Sequence, residues 1–216
     1  MKDQASSHLV LRAGAVVVAL LLLAGCRQLM APAARAFGVP SESELAKCRA
    51  ALRQFQSGLP NATIEIAAVL TVDERGAVWR RPLAVDLQRE VATRTTARLT
   101  LPTQRPTVAP TPLGRNQLRY LWTRAADYTR ALQAARPEAG YVLQAEIFSH
   151  GGKVTALHLF VFAADGQPAY CRLFNSHHFG AGLAADDTVV IPWIVRKLFD
   201  DLRREPGELF PPHGVG

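Results

Sequence analysis

Apolar residues recur along the chain with periods that predict alternating helices and strands. Leu45, Cys48, Leu52 and Phe55 are spaced three, four and three apart, the face of an amphipathic helix. Ser41 followed by Glu44 forms a capping box at its start, and Gly58 with Pro60 ends it. Thr63–Val72 is rich in Ile and Val and predicts one buried strand, closed by a turn at Asp73–Gly76. Pro82 opens a second helix with Leu83, Leu87 and Val91 on one face, and a short strand follows at Arg98–Leu101. Residues 102–112 hold four prolines and predict an irregular connection. Leu118, Leu121, Trp122, Ala125 and Leu132 continue a helical stripe to Arg136, as one helix or as two broken near Asp127, and Pro137 stops it.

Three strand-like segments come next: Tyr141–Phe148, Val154–Phe162 and Ala169–Phe179. Gly151-Gly152 and Asp165-Gly166 lie between them and carry hairpin-turn chemistry. Leu143, Ala145 and Ile147 alternate with Gln144 and Glu146, which predicts one polar, exposed face. Thr188–Leu202 reads as a last helix, with Ile191, Ile194, Val195, Leu198 and Leu202 inward and Asp186-Asp187 at its N-terminal cap. The tail 205–216, rich in Pro and Gly, reads as frayed. This order predicts an α+β domain at 41–204: a mixed, largely antiparallel sheet with a three-stranded meander in its C-terminal half, packed by three to four helices.

The N-terminus departs from this pattern. Lys2 and Arg12 precede Ala13–Ala24, a stretch of Ala, Val, Leu and Gly too short for a bilayer-spanning helix of about 20 residues. It fits the apolar region of an export signal. It ends in Leu23-Ala24-Gly25-Cys26, which resembles the lipobox of bacterial lipoproteins. The resemblance implies a signal peptide at 1–25, lipidation at Cys26 and a lipidated tether at 26–40 of Ala, Pro and Gly character. It implies anchorage in the bacterial cell envelope by the N-terminal lipid. Arg27, where an Asp would mark inner-membrane retention, points to the outer membrane, facing the periplasm.

Ala139-Gly140-Tyr141-Val142-Leu143-Gln144-Ala145-Glu146-Ile147 resembles a strand of a recurrent envelope domain. That domain occurs at the N-terminus of the Tol periplasmic propeller protein, in curli-secretion-like lipoproteins and in lipoprotein activators of penicillin-binding peptidoglycan synthases. Ala164-Asp165-Gly166 is comparable to its hairpin turn. The chain departs from the pattern after its first strand, where Leu70-Thr71-Val72 is followed by Asp73. The resemblance implies a non-enzymatic binding, assembly or regulatory module with an envelope protein as partner.

Composition and charge narrow the chemistry. The 216 residues are 49% hydrophobic and 20% charged, with a net charge of +7, which excludes a mostly disordered chain. No basic run with interleaved aromatics points to nucleic acid. Of the three cysteines, Cys48 and Cys171 remain after lipidation at Cys26. In an oxidising compartment a disulfide between them is one reading, worth about 4–5 kcal/mol in a loop-entropy account. Two buried free thiols are the other.

His150, His158, His177 and His178 form the one histidine grouping. Adjacent histidines on a strand point to opposite faces, so surface or packing roles are expected, with no metal and no cofactor. Glu65 and Glu146 are read as exposed strand positions. Arg75, Trp79, Arg80 and Arg81 form one basic–aromatic cluster, and Arg115, Arg119, Trp122 and Arg124 form another. Both are candidate partner surfaces, because Arg and Trp are favoured interface anchors. The alternatives are an accessory lipoprotein of an envelope transport complex and a metal-dependent or hydrolytic periplasmic enzyme.

Overall fold

The structure is a computed structural model and describes residues 40–102, 108, 109, 113, 116–175, 177–179 and 182–211. The export signal, Cys26, the tether up to residue 39 and Arg115 lie outside the described residues. Helix α1 (Glu42–Gly58) buries Leu45, Cys48, Leu52 and Phe55, the four residues its spacing predicts. A single 3-10 turn (Leu59–Asn61) leads into the sheet.

The strand predicted at 63–72 is broken in two. Strands β1 (Thr63–Ile66) and β2 (Val69–Asp73) lie end to end, both parallel to β5 (Tyr141–His150). Ile66 pairs with Leu143 and Leu70 with Glu146, so one strand carries an extra residue over that span. The backbone groups freed there find partners. Ala67 N donates to Leu143 O at 2.9 Å, and the buried Gln144 amide donates to Ala68 O at 3.0 Å. Gln144 is therefore not on an exposed face: it is 1% exposed and holds the break together.

A strand that hydropathy did not announce follows. β3 (Gly76–Arg80) folds back antiparallel on β2, with Val69 opposite Arg80 and Asp73 opposite Gly76. The Asp73 carboxylate accepts from Arg75 N at 2.8 Å, and Gly76 takes φ +127°, a value that suits glycine. Helix α2 (Arg81–Ala92) begins directly, with Pro82 in its first turn. β4 (Arg98–Thr100) then pairs parallel with β1.

α3 (Gln117–Ala135) is one helix, unbroken at Asp127. The Asn116 side chain caps it, accepting from Arg119 N at 2.9 Å, and Arg136 ends it in the left-handed region at φ 49°. β5, β6 (Lys153–Ala163) and β7 (Pro168–Asn175) form the antiparallel meander. β8 (Leu183–Ala184) pairs with the start of β6. α4 (Asp187–Asp201) is capped by Asp186, which accepts from Thr188 N at 2.8 Å. The result is an α+β fold on a mixed, largely antiparallel sheet of eight strands among the described residues, with β3 beyond β2 and β4 beyond β1 on one side.

Strand alternation gives the central strands two faces. Glu146, Phe148, His158, Phe160 and Phe162 share the face under α3, where the Tyr128 ring meets Phe160 at 5.5 Å and Phe162 at 5.9 Å. Leu143, Ile147, Leu157 and Val161 line the other face. There α4 packs: Trp193 meets Phe174 edge-on at 5.2 Å, and Tyr170 donates to Asp201 at 2.8 Å.

Two expectations change. The tail is not frayed through residue 210, because α5 (Pro206–Leu209) docks, burying Pro206, Leu209 and Phe210. Arg49 Nη1 donates to Phe210 O at 2.9 Å. Burial of these three apolar side chains outweighs the Pro and Gly content of the segment. The disulfide allowed between Cys48 and Cys171 is not formed, and both are free, buried thiols. Both side chains lie in the core, where burial pushes the Cys48 thiol up to about 11, with Glu44 adding to the rise, and holds the Cys171 thiol well above its ordinary value. The attacking species in thiol chemistry is the thiolate, which the apolar interior disfavours.

Candidate functional site

The fold sends the two arginine–aromatic groups of the sequence to different environments. On α3, Leu121, Arg124, Ala125 and Tyr128 are the buried residues, an inward face at helical spacing. Arg124 thus points into the core and is 1% exposed. It is not part of a partner surface, which corrects the reading from composition. Arg119 is exposed in the first turn, while Trp122 is half-buried and its ring lies 6.3 Å from that of Phe210. Trp122 therefore packs on the C-terminal segment, and of the second cluster's described members only Arg119 is fully exposed.

Arg124 instead meets Glu146 on β5. The guanidinium Nε donates to Glu146 Oε1 at 2.7 Å, and Nη2 lies 2.6 Å from the same oxygen. Nη1 donates to Ala109 O at 2.7 Å. The Tyr128 hydroxyl donates to Glu146 Oε1 at 2.7 Å and accepts from Arg124 Nη2 at 3.0 Å. The second carboxylate oxygen stands 2.9 Å from His158 Nδ1 on β6. An ionised carboxylate only accepts, so Nδ1 carries the proton. His158 Nε2 is left without a hydrogen-bond partner among the described residues. Around that imidazole lie the rings of Phe148 at 4.9 Å, Tyr120 at 5.4 Å and Phe160 at 6.0 Å.

Burial pushes the Glu146 carboxyl up, but the His158 hydrogen bond and the Arg124 charge outweigh it, holding the group below its ordinary value. Burial works against the Arg124 charge, yet Glu146 beside it leaves the guanidinium above its usual range. Tyr128 is driven well above the usual phenol value by burial and by the neighbouring carboxylate. Glu146 and His158 are 0% exposed, Arg124 1% and Tyr128 2%, so these four side chains lie within the core. Glu146 is not the exposed strand position its alternation suggested. Glu65, also expected to be exposed, is half-buried and pairs at Val142, while Glu146 pairs at Leu70, so the two carboxylates stand apart along the strand.

The other histidines stay apart from this network. His150 is exposed, its Nδ1 2.9 Å from Glu74 Oε1. His178 Nδ1 lies 3.0 Å from Asn175 Oδ1. Among the described residues, no three His, Cys, Asp or Glu side chains are placed to hold a metal ion.

The first arginine–aromatic group is at the surface. Arg75, Arg80 and Arg81 are exposed, at the turn before β3, at its end and at the first residue of α2. Trp79 is half-buried and packs against the core, which fixes the strand. Val78, on the opposite face of β3, is 57% exposed. The acidic residues of this hairpin are already engaged. Asp73 binds Arg75 N, and Glu74 accepts from Gly151 N and pairs with His150, joining the β2–β3 turn to the β5–β6 turn. The Gly151 hydrogen bond leads the causes that hold Glu74 below its ordinary value. Backbone pairing, an exposed Val and three cations are what this corner offers to a partner.

Among the described residues no helix is long and apolar enough to cross a membrane. No family model matches the chain, and no curated protein matches it. Solved structures do. The chain is similar to the LpoB C-terminal domain from Salmonella enterica at 10% identity, over 58% of this chain and 92% of that one, with a TM-score of 0.35. It is similar to protein VC0702 from Vibrio cholerae at 16% identity, over 68% of this chain and 70% of that one, with a TM-score of 0.32.

Proposed function

We propose that this protein is a lipid-anchored component of the bacterial cell envelope that works by binding another envelope protein. In this reading Cys26 carries the lipid, residues 26–40 give reach, and the Arg75–Arg81 corner is the contact. It is a binding, assembly or regulatory module rather than an enzyme, placed at the outer membrane and facing the periplasm. The observation that carries it is the apolar stretch ending in Leu23-Ala24-Gly25-Cys26, ahead of a domain whose Arg124–Glu146–His158 network is buried. The exposed cationic hairpin supports the contact, since Arg and Trp are strong interface anchors.

Radiolabelled palmitate is expected to enter the wild-type chain and not a Cys26→Ala chain. Equal labelling of both ends the anchor reading. A photoreactive residue at position 78 is expected to crosslink to one envelope protein in cells. The same residue at position 189, on α4, is expected to leave that protein uncaptured.

A further inference from the structure

The corner formed by β3 has a feature beyond its charge. Among the described residues β3 pairs with β2 alone, so the backbone groups on its far side have no strand neighbour. Such an edge is a template for a further strand. Its side chains restrict what strand that is. Val78 and Arg80 share one face of β3, with Val78 57% exposed and Arg80 exposed beyond it. Arg75 and Arg81 flank the strand at either end. None of the three arginines makes an ion pair within the described residues, where Asp73 accepts from Arg75 N and Glu74 pairs with His150 and accepts from Gly151 N.

We infer that the free edge of β3 takes up an extended, acidic segment of a partner protein as an added strand. The partner strand carries an acidic and an apolar residue two positions apart, opposite Arg80 and Val78. This deepens the contact proposed above and rests on that reading for its setting. A second copy of this chain is disfavoured by charge. Antiparallel self-pairing centred on Val78 sets Arg81 of each copy opposite Arg75 of the other, and like charges directly across a ladder repel. The same arginines that guard the edge against its own kind therefore select a partner of opposite sign.

The test uses the full lipidated chain in zwitterionic phosphatidylcholine nanodiscs, read by amide hydrogen exchange. The probes are a short peptide of alternating Glu and Val, its Lys–Val counterpart, and anionic phosphatidylglycerol vesicles. The Glu–Val peptide is expected to slow exchange at residues 76–80, and the Lys–Val peptide to leave it unchanged. Reversing the charges with Arg80→Glu and Arg81→Glu is expected to weaken the Glu–Val peptide by roughly tenfold or more and to admit the Lys–Val peptide. Unchanged melting of that variant keeps its fold out of question. No protection by the Glu–Val peptide, equal protection by both peptides, or protection by the vesicles alone overturns the inference. Failure here while palmitate enters at Cys26 leaves the anchored-module reading standing. Peptide binding without palmitate overturns the anchor and keeps the edge.

Discussion

Arg124 with Tyr128 and Arg80 with Trp79 are the same kind of pair, yet they live in opposite surroundings. In the first the cation is in the core and, among the described residues, each polar group around it has a partner apart from His158 Nε2. In the second the aromatic ring is partly buried and the cation is in water. On α3 the ring and the guanidinium sit on one face, four residues apart, so burying one buries both. On β3 neighbouring residues point to opposite faces, so Trp79 can dock while Arg80 stays out. The secondary-structure period, not the residue types, decides whether an arginine beside an aromatic is structure or surface.

The widest separation between the two is expected from deleting the buried cation. Arg124→Met leaves the Glu146 carboxylate inside the core without its charge partner, and such a break costs about 3–5 kcal/mol. Urea denaturation is the measurement. Adding Glu146→Gln to Arg124→Met is expected to recover a substantial part of the loss, because the unpaired charge then disappears. If Arg124→Met proves as mild as a surface change, the two arginines are not different in kind. Removing one hydrogen bond to the same carboxylate is a smaller step. Tyr128→Phe keeps the ring against Phe160 and Phe162 and is expected to cost about 1.5–3 kcal/mol by the same titration.

Acid sharpens the contrast with no change of shape. Glu146 sits below its ordinary value in the fold, so the unfolded chain binds more protons as pH falls through the carboxylate range. Its contribution is fully present above the unfolded value and is lost as pH drops through the folded one. Wild-type stability is therefore expected to decline on the acid side, with a flatter decline in Glu146→Gln. Glu74 is also held low, but it is exposed on the hairpin, and Glu74→Gln is expected to leave the acid limb nearly as it is. Urea midpoints at a series of pH values compare the two.

Much of this arrangement is legible in the residue order. The four helices of three or more turns, the meander and the cap at Asp186 follow from period and capping chemistry. β3 was not legible, because Gly-Ala-Val-Trp-Arg is short and directly adjoins a helix that starts with Arg-Pro. The break at Ala67-Ala68 depends on the side chain of Gln144, 76 residues further on, which no local window contains. The Arg124–Glu146 pair was within reach. Leu121, Ala125 and Tyr128 mark the inward face of α3, and Arg124 falls between them. Its charge and its neighbour Trp122 are features common at surfaces, so residue type points outward where helical spacing points inward. The docked tail rests on Arg49 and Trp122, again distant in sequence.

The smallest expected effect on stability belongs to the hairpin, and it carries the functional side of the comparison. Arg80 and Arg81 are exposed, lack ion pairs among the described residues and bury no polar group. Replacing both with Ser is expected to move stability by no more than about 0.5 kcal/mol, the usual span for surface positions. Partner capture behaves differently if this corner is the contact. The crosslink from position 78 is then expected to fall sharply in the double variant, and in the wild type to weaken as salt rises, because exposed charges are screened within about 10 Å at 0.1 M. Arg124→Met, assayed where it is still folded, is expected to keep the crosslink while losing stability. Two arginine–aromatic groups would then part cleanly, one felt only in the melt and the other only in the capture. A double hairpin variant that melts early and still captures its partner reverses that assignment, and with it the reading of which group faces the outside world.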